Sequence, residues 1–294
     1  MIADSLEDAL DALAGGARPI AGGTDLVVGD RQGKAPLPTS LVAVDRIAEL
    51  ANIESTDGGL RIGATVTHAQ LMADPAIVAD YTALADAAAL IGSPSTRNVG
   101  TLGGNVMNAS PAMDTGAPLM VLGAVVHLQS ARESRTTGLL DLWTGPGETS
   151  ATADELCVAI DLPPRPERSG SAYVRLEYRR AMEIAVVGAA ASVTLGDDGT
   201  ILECAVALAA VAPTIIEVEG ANSILAGNFS DAAGPAIAAA AAEAAQPISD
   251  LRASDSYRRH MVGVMAARAV DAAARRAAGE KIGVPVNRAI GVGV

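Results

Sequence analysis

The sequence is poor in aromatic residues and in basic charge. Aromatic side chains make up 2% of its 294 residues, so the core must be built from alanine, valine, leucine and isoleucine. Lys+Arg 21 are outnumbered by Asp+Glu 34, and the formal net charge is -13. Nucleic-acid binding needs a basic face that neutralises phosphates, so the sequence predicts no nucleic-acid partner.

Cysteine and histidine are also scarce. The two cysteines, Cys157 and Cys204, lie in apolar runs typical of strands, and we expect them to be buried, reduced thiols. Two thiolates are too few for an iron-sulfur cluster held by four cysteines. The three histidines, His68, His127 and His260, lie far apart, without a second ligand at helical or strand spacing. The sequence therefore predicts no metal site in this chain.

Long apolar runs and a signal peptide are missing as well. No stretch approaches the roughly 18 uninterrupted apolar residues that a membrane-spanning helix needs. The N-terminal residues 1–8 carry acidic side chains where a signal peptide carries basic ones, and no apolar segment follows. We therefore expect a cytoplasmic protein with no membrane span, and the length predicts about two domains.

The pattern that is present mixes helices and strands. Ser5 and Asp8 are spaced as a capping box, which predicts a helix over residues 5–14 that ends at the following glycine pair. Residues 92–105 are too rich in Gly, Ser, Pro and Asn for regular structure, and we expect an ordered loop or a series of tight turns. Further strands are predicted over residues 18–21, 40–45, 59–63, 64–68, 123–128, 156–162, 171–177, 185–195 and 201–212. Further helices are predicted over residues 81–90, 230–245 and 255–279, with a helix start within 111–120.

A proline-rich polar segment, residues 163–170, is the best linker candidate in the chain. We place a domain boundary there. The first predicted domain covers residues 1–167, with subdomains of about 1–52 and 53–167, and the second covers residues 168–294.

Two glycine-rich turns, Ala21-Gly-Gly-Thr-Asp-Leu26 and Gly100-Thr-Leu-Gly-Gly-Asn-Val106, each follow an apolar run. Consecutive glycines let the backbone approach a ligand and point N–H groups at it, which holds an anion without lysine or arginine. Thr24, Thr101 and Asn105 add donors suited to phosphate oxygens. Neither turn has the spacing of the Rossmann fingerprint. Two ordinary tight turns explain the same glycines, and both interpretations stay open.

Ordered motifs along nearly the whole chain carry a resemblance to a known family. They are Ala21-Gly-Gly-Thr-Asp-Leu26, Ile62-Gly-Ala-Thr-Val-Thr-His-Ala-Gln-Leu71, the long segment Arg97 to Asp114, Tyr178 to Gly188, and Asp250 to His260. With these motifs the chain resembles the FAD-binding (medium) subunit of the molybdenum hydroxylases, the family of xanthine dehydrogenase and carbon monoxide dehydrogenase.

The resemblance implies an α+β fold. Its parts are a vanillyl-alcohol-oxidase-type FAD-binding domain of two α/β subdomains and a C-terminal domain with a small antiparallel sheet and helices. It implies FAD in this chain, and a molybdenum cofactor and iron-sulfur clusters in partner subunits. The partners are a large molybdenum-cofactor subunit and a small iron-sulfur subunit, in a dimer of heterotrimers. Electrons are expected to pass from the iron-sulfur clusters through FAD to an external acceptor such as NAD or a quinone, without a catalytic side chain, because the flavin carries the redox chemistry.

The resemblance also implies which residues contact FAD. Ile91 is expected to face the flavin ring, Leu156 and Cys157 to line its opposite side, and ordinary core packing explains these three equally well. Asp114 is expected near the ribose, although its spacing also suits a helix cap. Arg175 stands where many relatives have lysine, and it keeps the charge without the point-like geometry. The pyrophosphate is expected at the two glycine-rich turns, on residues Ala21, Gly22, Gly23, Thr24, Asp25, Leu26, Thr101, Gly103, Gly104 and Asn105.

Two other functions remain as alternatives. A stand-alone flavin oxidase of the same fold would carry its own substrate pocket and often a covalent histidine or cysteine link to FAD, and neither glycine-rich turn contains a histidine. A non-enzymatic scaffold that has lost FAD would have damaged glycine-rich turns, and both turns are intact.

Overall fold

The computed structural model describes residues 1–227 and 230–292. The chain forms two compact units, each assembled from three separate segments. The first unit comprises Met1–Gln70, Pro94–Ala109 and Ala124–Pro164, and the second comprises Leu71–Ser93, Ser110–Gly123 and Arg165–Val294. The domains at 1–167 and 168–294 stay a prediction.

Short helices and strands alternate in the part of the chain before residue 165. In chain order they are α1 (Leu6–Ala14), β1 (Arg18–Ile20), α2 (Leu26–Arg31), β2 (Leu41–Ala43), a 3-10 turn (Ala48–Leu50), β3 (Ile53–Thr56), β4 (Gly59–Gly63), α3 (His68–Leu71), α4 (Pro75–Asp80), α5 (Thr82–Leu90), α6 (Pro94–Arg97), α7 (Leu102–Asn108), α8 (Gly116–Val121), β5 (Val125–Gln129), β6 (Ser134–Gly138), α9 (Leu139–Leu142), β7 (Trp143–Gly145), β8 (Glu148–Thr149) and β9 (Leu156–Leu162).

Longer strands and helices follow residue 165. They are β10 (Ser169–Leu176), β11 (Val187–Leu195), β12 (Ile201–Ala209), β13 (Ile216–Glu217), α10 (Ala221–Leu225), α11 (Ser230–Ala244), α12 (Asp255–Ala277) and α13 (Val286–Ala289). Within the described residues, no helix is both long and apolar enough to cross a membrane.

The first helix begins where the sequence predicts. The Ser5 hydroxyl accepts the Asp8 backbone N–H at 3.1 Å and donates to the Asp8 carboxylate at 2.7 Å. These bonds satisfy a backbone donor that the first helical turn leaves without an intrahelical partner. The predicted helix start at Ser5 is therefore confirmed, although Asp8 bonds the Ser5 hydroxyl and not the Ser5 backbone N–H that a full capping box uses.

The first unit contains a small parallel pair and a larger antiparallel sheet. Strands β1 and β2 pair in parallel, with Arg18 opposite Leu41. The larger sheet has the order β3-β4-β9-β5-β6, and every pair of adjacent strands in it is antiparallel. The predicted strands at 59–63 and 156–162 are confirmed as β4 and β9, which lie side by side in this sheet.

The second unit is built on a four-stranded antiparallel sheet of order β10-β11-β12-β13. Helix α12 packs against this sheet, and α11 packs against α12. Small residues let these elements approach closely. A Cβ at Gly263 would lie 2.6 Å from the Ala238 carbonyl oxygen of α11, and a Cβ at Gly170 would lie 2.3 Å from the Ala273 carbonyl oxygen of α12. The low aromatic content thus corresponds to a core with close backbone contacts. The predicted α+β fold, with a small antiparallel sheet and helices in its C-terminal part, is confirmed.

Strand β10 is an edge strand whose outward backbone groups bond to side chains instead of another strand. Asp86 of α5 accepts the Tyr173 N–H at 3.2 Å. Arg276 of α12 donates to the Ser171 carbonyl at 2.8 Å. Asn287 of α13 bonds both backbone groups of residue 175, at 3.0 and 2.7 Å. Because alternate residues of a strand point their backbone groups to the same side, these bonds satisfy the edge at every second position.

Two local predictions are wrong. Residues 92–105, predicted to be irregular, contain α6 and the start of α7, because a single helical turn is too short to show a periodic pattern. Residues 64–68, predicted to be a strand, form a turn that enters α3, and only Thr67 makes an isolated bridge, to Thr101. The predicted hairpin turn at Gly196–Gly199 is confirmed between β11 and β12.

Candidate functional site

The first glycine-rich turn, residues 21–26, leaves β1 and enters α2 in the first unit. Gly23 has φ +66, a left-handed conformation that favours glycine. Across the described residues, no protein group accepts a hydrogen bond from the backbone N–H groups of residues 22–26. Five consecutive backbone donors are therefore available to a ligand. Burial raises the pKa of the Asp25 carboxyl beside them.

Gly22 brings this turn into direct contact with the second glycine-rich turn, residues 100–106. A Cβ on Gly22 would lie 1.8 Å from the Val99 carbonyl oxygen and 2.5 Å from its carbonyl carbon. No side chain fits in that space. The glycine is thus required by a backbone-to-backbone contact that holds the two turns together.

The second glycine-rich turn uses its own N–H groups inside the protein. Leu102 donates to the Val66 carbonyl and Gly103 to the Ala64 carbonyl, each at 2.9 Å. Gly104 donates to the Thr101 hydroxyl at 3.1 Å, where Thr101 caps α7. Asn105 donates to the Thr101 carbonyl at 3.0 Å. The backbone N–H groups of these four residues therefore donate within the protein, and contact of this turn with the pyrophosphate stays a prediction.

A histidine that sequence reasoning left without a role lies between the two turns. A Cβ on Gly100 would lie 3.3 Å from the His68 ring and 3.6 Å from the Thr24 hydroxyl, so these side chains meet at one point. His68 is 2% exposed, and its ring atom Nδ1 is buried without a hydrogen-bond partner. Burial, followed by the charge of Arg97, lowers its pKa to about 4. His68 lies within the motif from Ile62 to Leu71 that carried the family resemblance, so this motif was the sequence signal that could have indicated a role for it.

His68 is expected to make stability sensitive to mild acid. The unfolded residue takes a proton below its ordinary pKa of 6.5, whereas the folded one resists until about 4, so stability is lost as the pH falls through this window. Urea unfolding at pH 7 and pH 4.5 should show a loss on the order of 2 kcal/mol in the wild type that His68→Phe reduces. Equal losses in both proteins would contradict a neutral buried His68.

Leu156 and Cys157 open strand β9. Leu156 is buried in a core that it shares with α1 and the 3-10 turn, through Leu10, Leu13, Ile47 and Leu50. Cys157 is buried and free, and burial raises the pKa of its thiol to about 12. Both packing environments suit ordinary core residues, and contact with a flavin stays a prediction for both.

The second unit joins Asp114 and Arg175 in one buried cluster. Arg175 Nη1 donates to the Asp114 carboxylate at 2.7 Å, and Glu177 accepts from Nε at 3.0 Å. The Tyr173 hydroxyl donates to the other Asp114 oxygen at 2.8 Å. Burial raises the pKa of Asp114, and Arg175 works against this effect. The cluster has two carboxylates, Asp114 and Glu177, for one guanidinium. Both Asp114 oxygens accept from side chains of β10, so in the described residues this carboxylate is not used to cap a helix.

Ile91 follows the last residue of α5 in the same unit. Its backbone is extended, with φ -67 and ψ 127, and Gly92 turns the chain with φ +51. The Leu90 carbonyl accepts a hydrogen bond from Arg175 at 3.1 Å, and the Gly92 carbonyl accepts one from the Met182 N–H at 3.0 Å. Ile91 therefore sits on a turn that is held from both sides.

These observations fit a cofactor with an anionic group. The first glycine-rich turn offers five backbone donors in a row, which suits a diphosphate. Within residues 1–227 and 230–292, no group of three or more His, Cys, Asp or Glu side chains lies close enough together to hold a metal ion. The arrangement can bind and orient FAD, whose own ring carries the redox chemistry.

Comparison with known proteins gives the family. Residues 1–165 match the model of the FAD binding domain in molybdopterin dehydrogenase, and residues 172–273 match that of the CO dehydrogenase flavoprotein C-terminal domain. The xanthine dehydrogenase FAD-binding subunit of Escherichia coli O157:H7 is 33% identical over 290 residues, covering 95% of this chain and 96% of that protein. The carbon monoxide dehydrogenase medium chain of Afipia carboxidovorans is 33% identical over 269 residues, covering 91% and 92%.

The fold agrees with these relatives. A chain in the crystal structure of the cyanide-inactivated Cu,Mo-CO dehydrogenase superposes with a TM-score of 0.89 at 32% identity, covering 94% of this chain and 96% of that one. Sequence, fold and family models therefore agree over nearly the whole length. The chain belongs to the FAD-binding medium subunits of the xanthine and carbon monoxide dehydrogenase family, the flavoprotein components of molybdenum-containing oxidoreductases.

Proposed function

We propose that this chain is the electron-transfer subunit of a molybdenum-containing hydroxylase or dehydrogenase complex. When bound, FAD supplies the redox chemistry that links the iron-sulfur clusters of a small partner subunit to an external electron acceptor. The substrate itself reacts in a large partner subunit that holds the molybdenum cofactor. The chain's own task is to bind the flavin, orient it and control access to it.

The observation that carries this proposal is the row of backbone N–H groups from Gly22 to Leu26, for which the described part of the chain supplies no acceptor. These groups donate to the pyrophosphate oxygens of FAD, and the contact of Gly22 with Val99 fixes their direction. Neutral amides held by the fold bind a diphosphate without a basic side chain, which suits a chain of net charge -13. Thr101 contributes through its hydroxyl, because its neighbours' amides are used within the protein.

The partners are proposed from the relatives. Relatives are described as the FAD-binding subunit of a xanthine dehydrogenase and the medium chain of a carbon monoxide dehydrogenase. We place this chain beside a large molybdenum-cofactor subunit and a small iron-sulfur subunit, in a dimer of such trimers. A cytoplasmic location is supported by Cys157 and Cys204, which are both buried and reduced.

The test compares the chain alone with the complex. The chain purified alone should carry one FAD, visible in its absorbance spectrum and identified by mass after non-covalent release. Dithionite should bleach this flavin, whereas substrates that reduce the isolated complex should not bleach it in the chain alone.

Other outcomes would favour the alternatives. Substrate-driven reduction with hydrogen peroxide release by the chain alone would identify a stand-alone flavin oxidase. A colourless chain that takes up no FAD, alone or in its complex, would leave the scaffold as the better description.

A further inference from the structure

The guanidinium of Arg175 is completely buried, and each of its N–H groups already has a protein acceptor. Nε donates to Glu177, and Nη2 donates to Glu177 and to the Leu90 carbonyl. Nη1 donates to Asp114 at 2.7 Å and to the Glu183 carbonyl at 3.5 Å. An arginine has five N–H donors, so none is left over. The Arg175 side chain is 0% exposed.

Arg175 therefore joins several separate segments of the second unit. The Leu90 carbonyl closes α5 immediately before Ile91, whose side chain is expected to face the flavin. Asp114 lies in the segment before α8, and Glu183 lies in the loop after β10. That loop also holds the turn, because the Met182 N–H donates to the Gly92 carbonyl. One side chain thus fixes the turn of Ile91 and the carboxylate of Asp114 together.

We infer that Arg175 is a positioning residue for FAD and makes no hydrogen bond to the flavin. It acts through the Ile91 turn and the Asp114 carboxylate, whose two oxygens it shares with Tyr173. This inference rests on the proposed function, because it takes the chain to bind FAD. Because many relatives have lysine at this position, the resemblance implied that Arg175 places a positive charge next to the flavin. The inference replaces that expectation.

The geometry predicts that lysine cannot replace this arginine. A lysine ammonium has three donors at one point, whereas the cluster presents four acceptors on different segments: Asp114, Glu177, Leu90 and Glu183. At least one buried acceptor would then be left without a partner. If the residue served only as a positive charge beside the flavin, lysine would preserve its role.

The experiment compares Arg175→Lys with Arg276→Lys. Arg276 is a matched control, since its side chain, in the second unit, is only 6% exposed and makes a two-pronged ion pair with Asp86, at 2.6 and 3.1 Å. It donates to the Ser171 and Ile282 carbonyls and has no bond to the Ile91 turn or to Asp114. The readouts are the Kd for FAD of the deflavinated chain, the visible circular dichroism of the bound flavin, and urea unfolding.

Both variants should lose stability, and only Arg175→Lys should also weaken FAD binding, by about tenfold, and change the visible dichroism. Unchanged Kd and dichroism in Arg175→Lys, or equal changes in both variants, would overturn the positioning role. A wild type that does not bind FAD would instead overturn the proposed function. If Arg175→Lys does not fold, Glu177→Gln carries the test under the same criteria, because it keeps the guanidinium and removes the charge of the side chain that accepts from its Nε and Nη2.

Discussion

Alanine at Gly22 is expected to leave the purified chain colourless, with an affinity for FAD lower by about 100-fold or more. The added Cβ would lie 1.8 Å from the Val99 carbonyl oxygen, so the backbone of one glycine-rich turn must move. Any such movement displaces the N–H groups of residues 22–26 from the positions in which we propose that they meet the pyrophosphate. Titration of the deflavinated variant with FAD measures the loss.

Gly29→Ala is the matched control for this substitution. Gly29 lies inside α2, a few residues after the same turn, and a Cβ there would meet nothing within 4 Å. Alanine in a helix interior is more stable than glycine by about 0.5–1 kcal/mol, so this variant should keep its FAD and gain slightly in stability. If Gly22→Ala binds FAD as well as Gly29→Ala does, the first glycine-rich turn does not hold the pyrophosphate.

Asp86→Ala is expected to lower the free energy of unfolding by about 3–5 kcal/mol, because it leaves a buried guanidinium without its counter-ion. Asp86 is 0% exposed and accepts four hydrogen bonds: two from Arg276 and one each from the backbone of Tyr173 and Val286. Without the carboxylate, the Tyr173 N–H at the edge of β10 and the Val286 N–H at the start of α13 also lose their acceptor. Urea unfolding of the deflavinated chain gives the effect separately from cofactor binding.

An exposed ion pair in the same unit provides the comparison. Asp271 lies 3.3 Å from Arg275 on α12, with half of its side chain exposed. Exposed pairs of this kind contribute at most about 1 kcal/mol, so Asp271→Ala should change stability little. A similar loss in the two variants would show that burial of the Asp86 pair is not what stabilises the second unit.

Local chemistry made part of this structure predictable from the sequence. The Ser5 cap, the limits of β4 and β9 and the hairpin at Gly196–Gly199 each depend on neighbouring residues, and each was confirmed. The family followed from motifs spread along the chain. The short helices α6 and α7 were missed because so few residues carry no measurable period.

The site depended on contacts between distant residues, which spacing does not reveal. Nothing in the sequence indicates that Gly22 meets Val99, or that the amides of the second turn are consumed by Ala64 and Val66. The role of Arg175 was hidden for the same reason, since its partner Asp114 lies 61 positions earlier. Sequence reasoning predicted which segments bind the ligand, whereas the internal hydrogen bonds of each segment became visible only in the fold.

The closed edge of β10 sets an order in which the second unit can fold. Strands β10, β11 and β12 are sequential neighbours and can pair as soon as they are synthesised. Two of the groups that cover the outer edge come from much later in the chain, since Arg276 bonds Ser171 across 105 positions and Asn287 bonds Arg175 across 112. Until α12 and α13 emerge, β10 presents unpaired donors and acceptors that another chain can pair with. The nascent protein is therefore most exposed to aggregation between the completion of its sheet and the arrival of its last helices.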